Sequence, residues 1–153
     1  MPPSTRILIV EDEDILARNL QSFLVRKSPD VRIAADSRDT VKILESFTPD
    51  IVVLDFGLPG MDGLQTYAKI VRSQAPRACC VLISGHLTDD LTHAANDQGI
   101  HHILCKPFSF AELQAKIDLS LRDMAKTAAI VTLEEEDQSS SPVTPFSSGF
   151  TPR

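Results

Sequence analysis

Residues 50–63 read DIVVLDFGLPGMDG, and this stretch decides how the chain folds. Ile51 to Leu54 form a continuous apolar run, which reads as a strand buried on both faces. The run ends in one carboxylate, Asp55, followed by a turn rich in Gly and Pro. A carboxylate at that place lies beyond the carboxyl edge of a parallel strand, where open α/β sheets hold their chemistry.

Working outward, apolar strands recur at Arg6–Val10 (RILIV), Cys79–Ile83 and His102–Cys105, with a weaker, alternating one at Val31–Ala35. Helical patterns fill the intervals. Ile15, Leu16, Leu20, Phe23 and Leu24 mark the first, and Ser37 to Phe47 gives a second, with Ser37 as its cap. Leu64 to Ser73 forms a third, and a short polar fourth runs from a Thr88 cap to Gly99. The fifth follows a Ser109-x-x-Glu112 capping box, with Phe110, Leu113, Ile117, Leu121 and Met124 as its core face. Strands alternating with helices predict a doubly wound (βα)5 sandwich around a parallel five-stranded sheet, order 2-1-3-4-5.

Composition bounds the rest. A chain of 153 residues with net charge -6 predicts one domain and no nucleic-acid or anionic membrane surface. The sequence holds no apolar span of about 18 residues and no charged-then-apolar leader, so a cytoplasmic location is expected. Cys79, Cys80 and Cys105 match neither a disulfide framework nor a zinc spacing and read as small buried hydrophobes. The expected organisation is a lead at 1–5, a folded domain at 6–126 and a disordered acidic, Ser/Pro-rich tail or linker at 127–153.

In the predicted topology the strand ends share one edge. Glu11 and Asp12 follow the first strand, Asp55 the third, Ser84 the fourth and Lys106 the fifth. Three crowded carboxylates are relieved by raised pKa values or by a bound cation. Oxygen donors without His or Cys suit Mg²⁺. With a lysine and a hydroxyl beside it, the set is built for a phosphoryl group, Asp55 being the nucleophile.

These residues carry a resemblance. Glu11-Asp12, Asp55-Phe56-Gly57-Leu58-Pro59-Gly60-Met61-Asp62-Gly63, Ser84-Gly85 and Lys106-Pro107-Phe108 resemble, in order, the motifs of the receiver domain of two-component response regulators. The resemblance covers roughly residues 6–125 and implies a flavodoxin-like fold. It implies that Asp55 accepts a phosphoryl group from a histidine kinase or phosphotransfer protein. It also implies that Asp12, Asp55 and the Gly57 carbonyl ligate Mg²⁺, with Glu11 acting largely through water. Lys106 then pairs with the phosphoryl, Ser84 moves toward it, and the Lys106-Pro107 bond is cis. Ile103 stands where such domains often carry an aromatic switch residue, and Gly57 and His86 occupy positions that tune the acyl phosphate's lifetime. Gly85 is the small residue after the hydroxyl.

Output is expected through the fourth helix, last strand and fifth helix, a face that also offers a homodimer contact, and through an effector domain or output protein. Two rival readings remain at this stage: a phosphorylation-independent interaction module, and an aspartyl-nucleophile phosphohydrolase. The latter usually has a second Asp where this chain has Gly57.

Overall fold

A computed structural model of the chain describes residues 1–139, and side chains through residue 126. Strands β1 (Arg6–Val10), β2 (Asp30–Ala34), β3 (Ile51–Asp55), β4 (Cys79–Ser84) and β5 (His102–Cys105) form one parallel sheet, in the order β2-β1-β3-β4-β5. The expected doubly wound α/β fold is therefore the fold observed. Every residue of β3 and β4 is buried, as is β1 after Arg6, because helices cover both faces of these central strands. β2 and β5, at the two edges, are only partly buried.

The helices are α1 (Asp14–Leu24), α2 (Ser37–Leu44), α3, α4 (Asp89–Asp97) and α5 (Phe110–Ser139). α3 is composite: Gly63–Thr66 is α-helical, Tyr67–Val71 makes a π turn and Arg72–Gln74 resumes the α form. It starts on a reciprocal capping box, in which the Asp62 carboxylate accepts from Gln65 N at 2.9 Å and Gln65 Oε1 accepts from Asp62 N at 3.0 Å. α4 starts where expected, with Thr88 Oγ1 accepting from Leu91 N at 3.1 Å, and Gly99 follows it at φ +88°. Only Leu91 and Ala95 of α4 are buried, which makes it thinly anchored.

Several expectations need correction. Asp36, not Ser37, caps α2: its extended backbone lets the carboxylate reach Asp39 N at 2.8 Å. The helix itself stops at Leu44 rather than Phe47. Ile15 is 72% exposed, because α1 turns Ala17, Leu20 and Leu24 to the sheet. Phe110 likewise lies outside the core and stacks on Phe23, ring centroids 4.8 Å apart, while Leu113 and Ile117 are buried. Cys79 and Cys80 are buried, but Cys105 is exposed on the edge strand.

The chain divides into a unit of Met1–Leu121 and a second unit beginning at Arg122. In the second, the backbone of α5 stays helical to Ser139, where a disordered tail from 127 was expected. The Ala, Leu, Lys and Glu content of 125–136 favours helix and explains the continuation. The remainder of that expected tail, 140–153, lies outside the described residues.

Burial sets a contrast between two apolar residues. Leu54 is fully buried at the centre of the sheet, so Leu54→Ala should lower unfolding free energy by about 2–5 kcal/mol. Ile15→Ala, at an exposed site, should change it by no more than about 0.5 kcal/mol in the same urea titrations.

Candidate functional site

The parallel register delivers the candidate residues to one edge. Val10 pairs with Leu54, Asp55 with Ile83 and Ser84 with Cys105, so the residues at and just past these strand ends come together. Lys106 N donates to Ser84 O at 2.8 Å, which prolongs the β4–β5 pairing by one residue and aligns the lysine. The Lys106-Pro107 peptide is cis.

These residues line a cavity of about 570 Å³ that contains Glu11, Asp12, Asp55, Gly57, Ser84, Gly85, His86 and Lys106, with Glu13 and Phe56 completing it. Glu11 and Asp55 are buried, and Asp12 is exposed at the mouth. Lys106 Nζ lies 3.3 Å from Glu11 Oε1 and 3.5 Å from Asp55 Oδ1, bridging the two buried carboxylates. Asp55 Oδ1 also accepts from Gly57 N at 3.2 Å. Ser84 is turned into its own loop: Oγ donates to His86 O at 2.7 Å and accepts from His86 N at 3.1 Å. Ile103 is half-buried and packs against the core on one side of the sheet, outside the cavity lining.

The electrostatics follow from burial. Burial pushes Glu11 up from 4.5 to about 7, and the Asp55 charge adds to this. The Glu13 backbone N–H, bound at 3.1 Å, and the Lys106 ammonium pull the other way without prevailing. For Lys106, burial disfavours the ammonium, but Asp55 and Glu11 together raise its pKa above the ordinary value. One carboxylate oxygen from each of Glu11, Asp12 and Asp55 can be chosen so that all lie within 4.8 Å of one another. This all-oxygen donor set, with one member open to solvent, fits a small hard cation such as Mg²⁺.

Two backbone contributions carry no signal in the sequence, although His86 itself is a residue the sequence singles out. Glu13 and His86 act through backbone groups, on Glu11 and Ser84 respectively, and any residue type offers those. Asp62, inside the motif that suggested the site, is instead occupied in capping α3 and does not line the cavity.

Comparison with known proteins agrees with this geometry. A model of the response regulator receiver domain family matches residues 7–118. The chain is 29% identical over 126 residues to the transcriptional regulatory protein PdtaR of Mycobacterium tuberculosis, covering 82% of this chain and 60% of that protein. It is 34% identical over 118 residues to the response regulator ArlR of Staphylococcus saprophyticus, covering 77% of this chain and 53% of ArlR. The chain thus spans little more than half the length of these relatives. Among solved structures, a CheY-like response regulator receiver domain protein of Methanospirillum hungatei superposes with TM-score 0.73 at 23% identity, over 80% of this chain and 98% of that one. The signal receiver domain of a DNA-binding response regulator of Colwellia psychrerythraea gives TM-score 0.67 at 29% identity, over 75% and 96%.

The raised pKa of Glu11 has a stability consequence. In the unfolded chain its carboxyl returns to the ordinary range, so the folded state binds the extra proton. Its stabilising contribution is full below about pH 4.5 and is lost as pH rises through about 7. In urea melts with chelator present, Glu11→Gln should remove a fall in stability between pH 5 and 8 of about 1–3 kcal/mol.

Proposed function

The chain belongs to the response regulator receiver domain family, and from that premise we propose that Asp55 is its phosphoacceptor. The observation that carries this reading is the placement of Asp55, buried at the end of β3, with the Lys106 ammonium 3.5 Å from one of its oxygens. A histidine kinase, or a phosphotransfer protein carrying phosphohistidine, is the donor. An Asp55 oxygen attacks phosphorus, the phosphorus–nitrogen bond breaks, and the donor imidazole leaves with its electron pair and is then protonated. The product is an acyl phosphate.

Each neighbour has a part. Asp55 Oδ1 is already engaged by the Gly57 N–H and Lys106, which leaves Oδ2 to attack. Lys106 shifts from bridging two carboxylates to pairing with the incoming phosphoryl oxygens. Ser84 breaks its two bonds to the His86 backbone and donates to the phosphoryl instead. Asp12, Asp55 and the Gly57 carbonyl, with Glu11 nearby, would hold Mg²⁺, which would supply neutralising charge to the phosphoryl oxygens. Gly57 and His86 flank the acyl group and govern how water reaches it, which makes them the positions that set the rate of self-dephosphorylation. Gly85 keeps the approach beside Ser84 open.

The domain is a signalling phosphoacceptor rather than a classical enzyme. Phosphorylation takes the acceptor from about -1 to about -2 and adds acceptor oxygens. The thinly anchored α4 with β5 and the start of α5 is the surface we assign to output, homodimer contact included, with Ile103 in the place of an aromatic switch. We take 6–126 as the receiver and 127–153 as a linker toward an effector domain or output protein. Among the described residues no helix is long and apolar enough to cross a membrane, and we place the protein in the cytoplasm. Its net charge of -6 favours a protein partner over nucleic acid.

Incubation with Mg²⁺ and a small acyl phosphate donor should add one phosphoryl group to the intact mass, labile in base. Asp55→Asn should abolish the gain, and Lys106→Met should slow it by roughly 10²-fold or more. Incorporation that persists in Asp55→Asn would overturn the assignment.

A further inference from the structure

The Gly57 peptide lies beside the acceptor because the backbone after β3 turns sharply, and one residue makes that turn fit. Gly63 is the first residue of α3, and its N–H donates to Phe56 O at 2.8 Å, closing the loop of residues 56–63. A Cβ at Gly63 would lie 2.5 Å from the Asp55 carbonyl oxygen and 2.7 Å from Phe56 Cα. Both are backbone atoms, flanking the peptide that joins acceptor to loop, so neither can rotate aside. Its φ is not positive, unlike that of Gly60 or Gly99, so the constraint here is close approach and not backbone conformation.

The contact is fastened from both sides. Phe56 N donates to Ile83 O at 2.7 Å, holding the same peptide to β4. Thr66, fully buried, donates through Oγ1 to Asp62 O at 2.8 Å and seats the first turn of α3. The next peptide along gives the Gly57 N–H that reaches Asp55 Oδ1 at 3.2 Å.

We propose that Gly63 is a positioning residue for the acceptor: by having no side chain it lets α3 press on the Asp55–Phe56 peptide, which aims the Gly57 peptide at the Asp55 carboxylate. This rests on the reading of Asp55 as phosphoacceptor and deepens it. A methyl group at 63 lifts that peptide and misdirects Gly57 while the sheet stays intact.

The test compares Gly63→Ala with Gly99→Ala in the full chain. Gly99 has φ +88° and nothing within 4 Å of its Cβ position, so Ala there strains the backbone far from the loop. In Gly63→Ala, amide exchange at Phe56 should quicken by roughly tenfold or more relative to Leu8 and Leu82. The initial rate of phosphoryl uptake from a small acyl phosphate at saturating Mg²⁺ should fall by about as much. Gly99→Ala should lower the melting temperature without either change. Values for Gly63→Ala within about twofold of wild type, or equal losses in both variants at matched stability, would overturn the proposal. If Gly63→Ala does not fold, Thr66→Val decides. It loosens the same turn without a clash and should quicken Phe56 exchange by about threefold, whereas unchanged exchange counts against the proposal. A wild-type protein that takes up no phosphoryl group defeats the reading of Asp55 itself, while the Phe56 exchange still reports on Gly63.

Discussion

Three carboxylates and one ammonium share the carboxyl edge of this sheet, and the imbalance governs the site. Lys106 lies within 3.5 Å of both buried acids. Each such pair is worth of order 4 kcal/mol at an effective dielectric constant near 20, before dehydration, which costs several kcal/mol per buried ion. One lysine therefore cannot neutralise the edge. Burial, with the Asp55 charge adding to it, pushes the Glu11 carboxyl up to about 7 in spite of the lysine. A site left short of positive charge favours a divalent cation, which on the proposed reading would make an incoming phosphoryl group tolerable beside Asp55.

Much of this was legible because parallel pairing converts sequence position into spatial position. β1, β3 and β4 are short β-branched and aliphatic runs buried on both faces, and their ends are unambiguous. Once the order is 2-1-3-4-5, the residue after each run must lie at the common edge, so Glu11, Asp55, Ser84 and Lys106 could be brought together before any geometry was known. Helix faces were less legible. The apolar set on α1 is wider than the stripe the sheet accepts, and small Ala17 takes the contact that Ile15 was expected to make. Asp36 and Ser37 are both competent caps, and only the extended backbone at 36 decides between them. The π turn at Tyr67–Val71 left no mark on the hydrophobic periodicity. The grips on Glu11 and Ser84 are invisible for a different reason: they come from main-chain atoms.

On the reading we propose, how far a phosphoryl group at Asp55 can move the fold is bounded by what Ser84 would exchange. Leaving the His86 backbone costs two neutral hydrogen bonds, each worth about 0.5–1.5 kcal/mol net, for one charge-assisted bond of about 1.5–3 kcal/mol. The gain is small beside the roughly 5.5 kcal/mol that takes a two-state surface from 1:99 to 99:1. Ser84 alone cannot throw such a switch. On that reading Lys106 would add to the gain, and its backbone N–H, tied to Ser84 O, links the two strand ends. Ile103 is β-branched and stiff at χ1, which suits it poorly to a rotamer relay. The route outward that the proposed reading offers is the main chain from Ser84 through His86 to Thr88, the cap on which α4 begins. A helix held by two buried side chains and a cap is the element on this side of the sheet that so small a bias can shift.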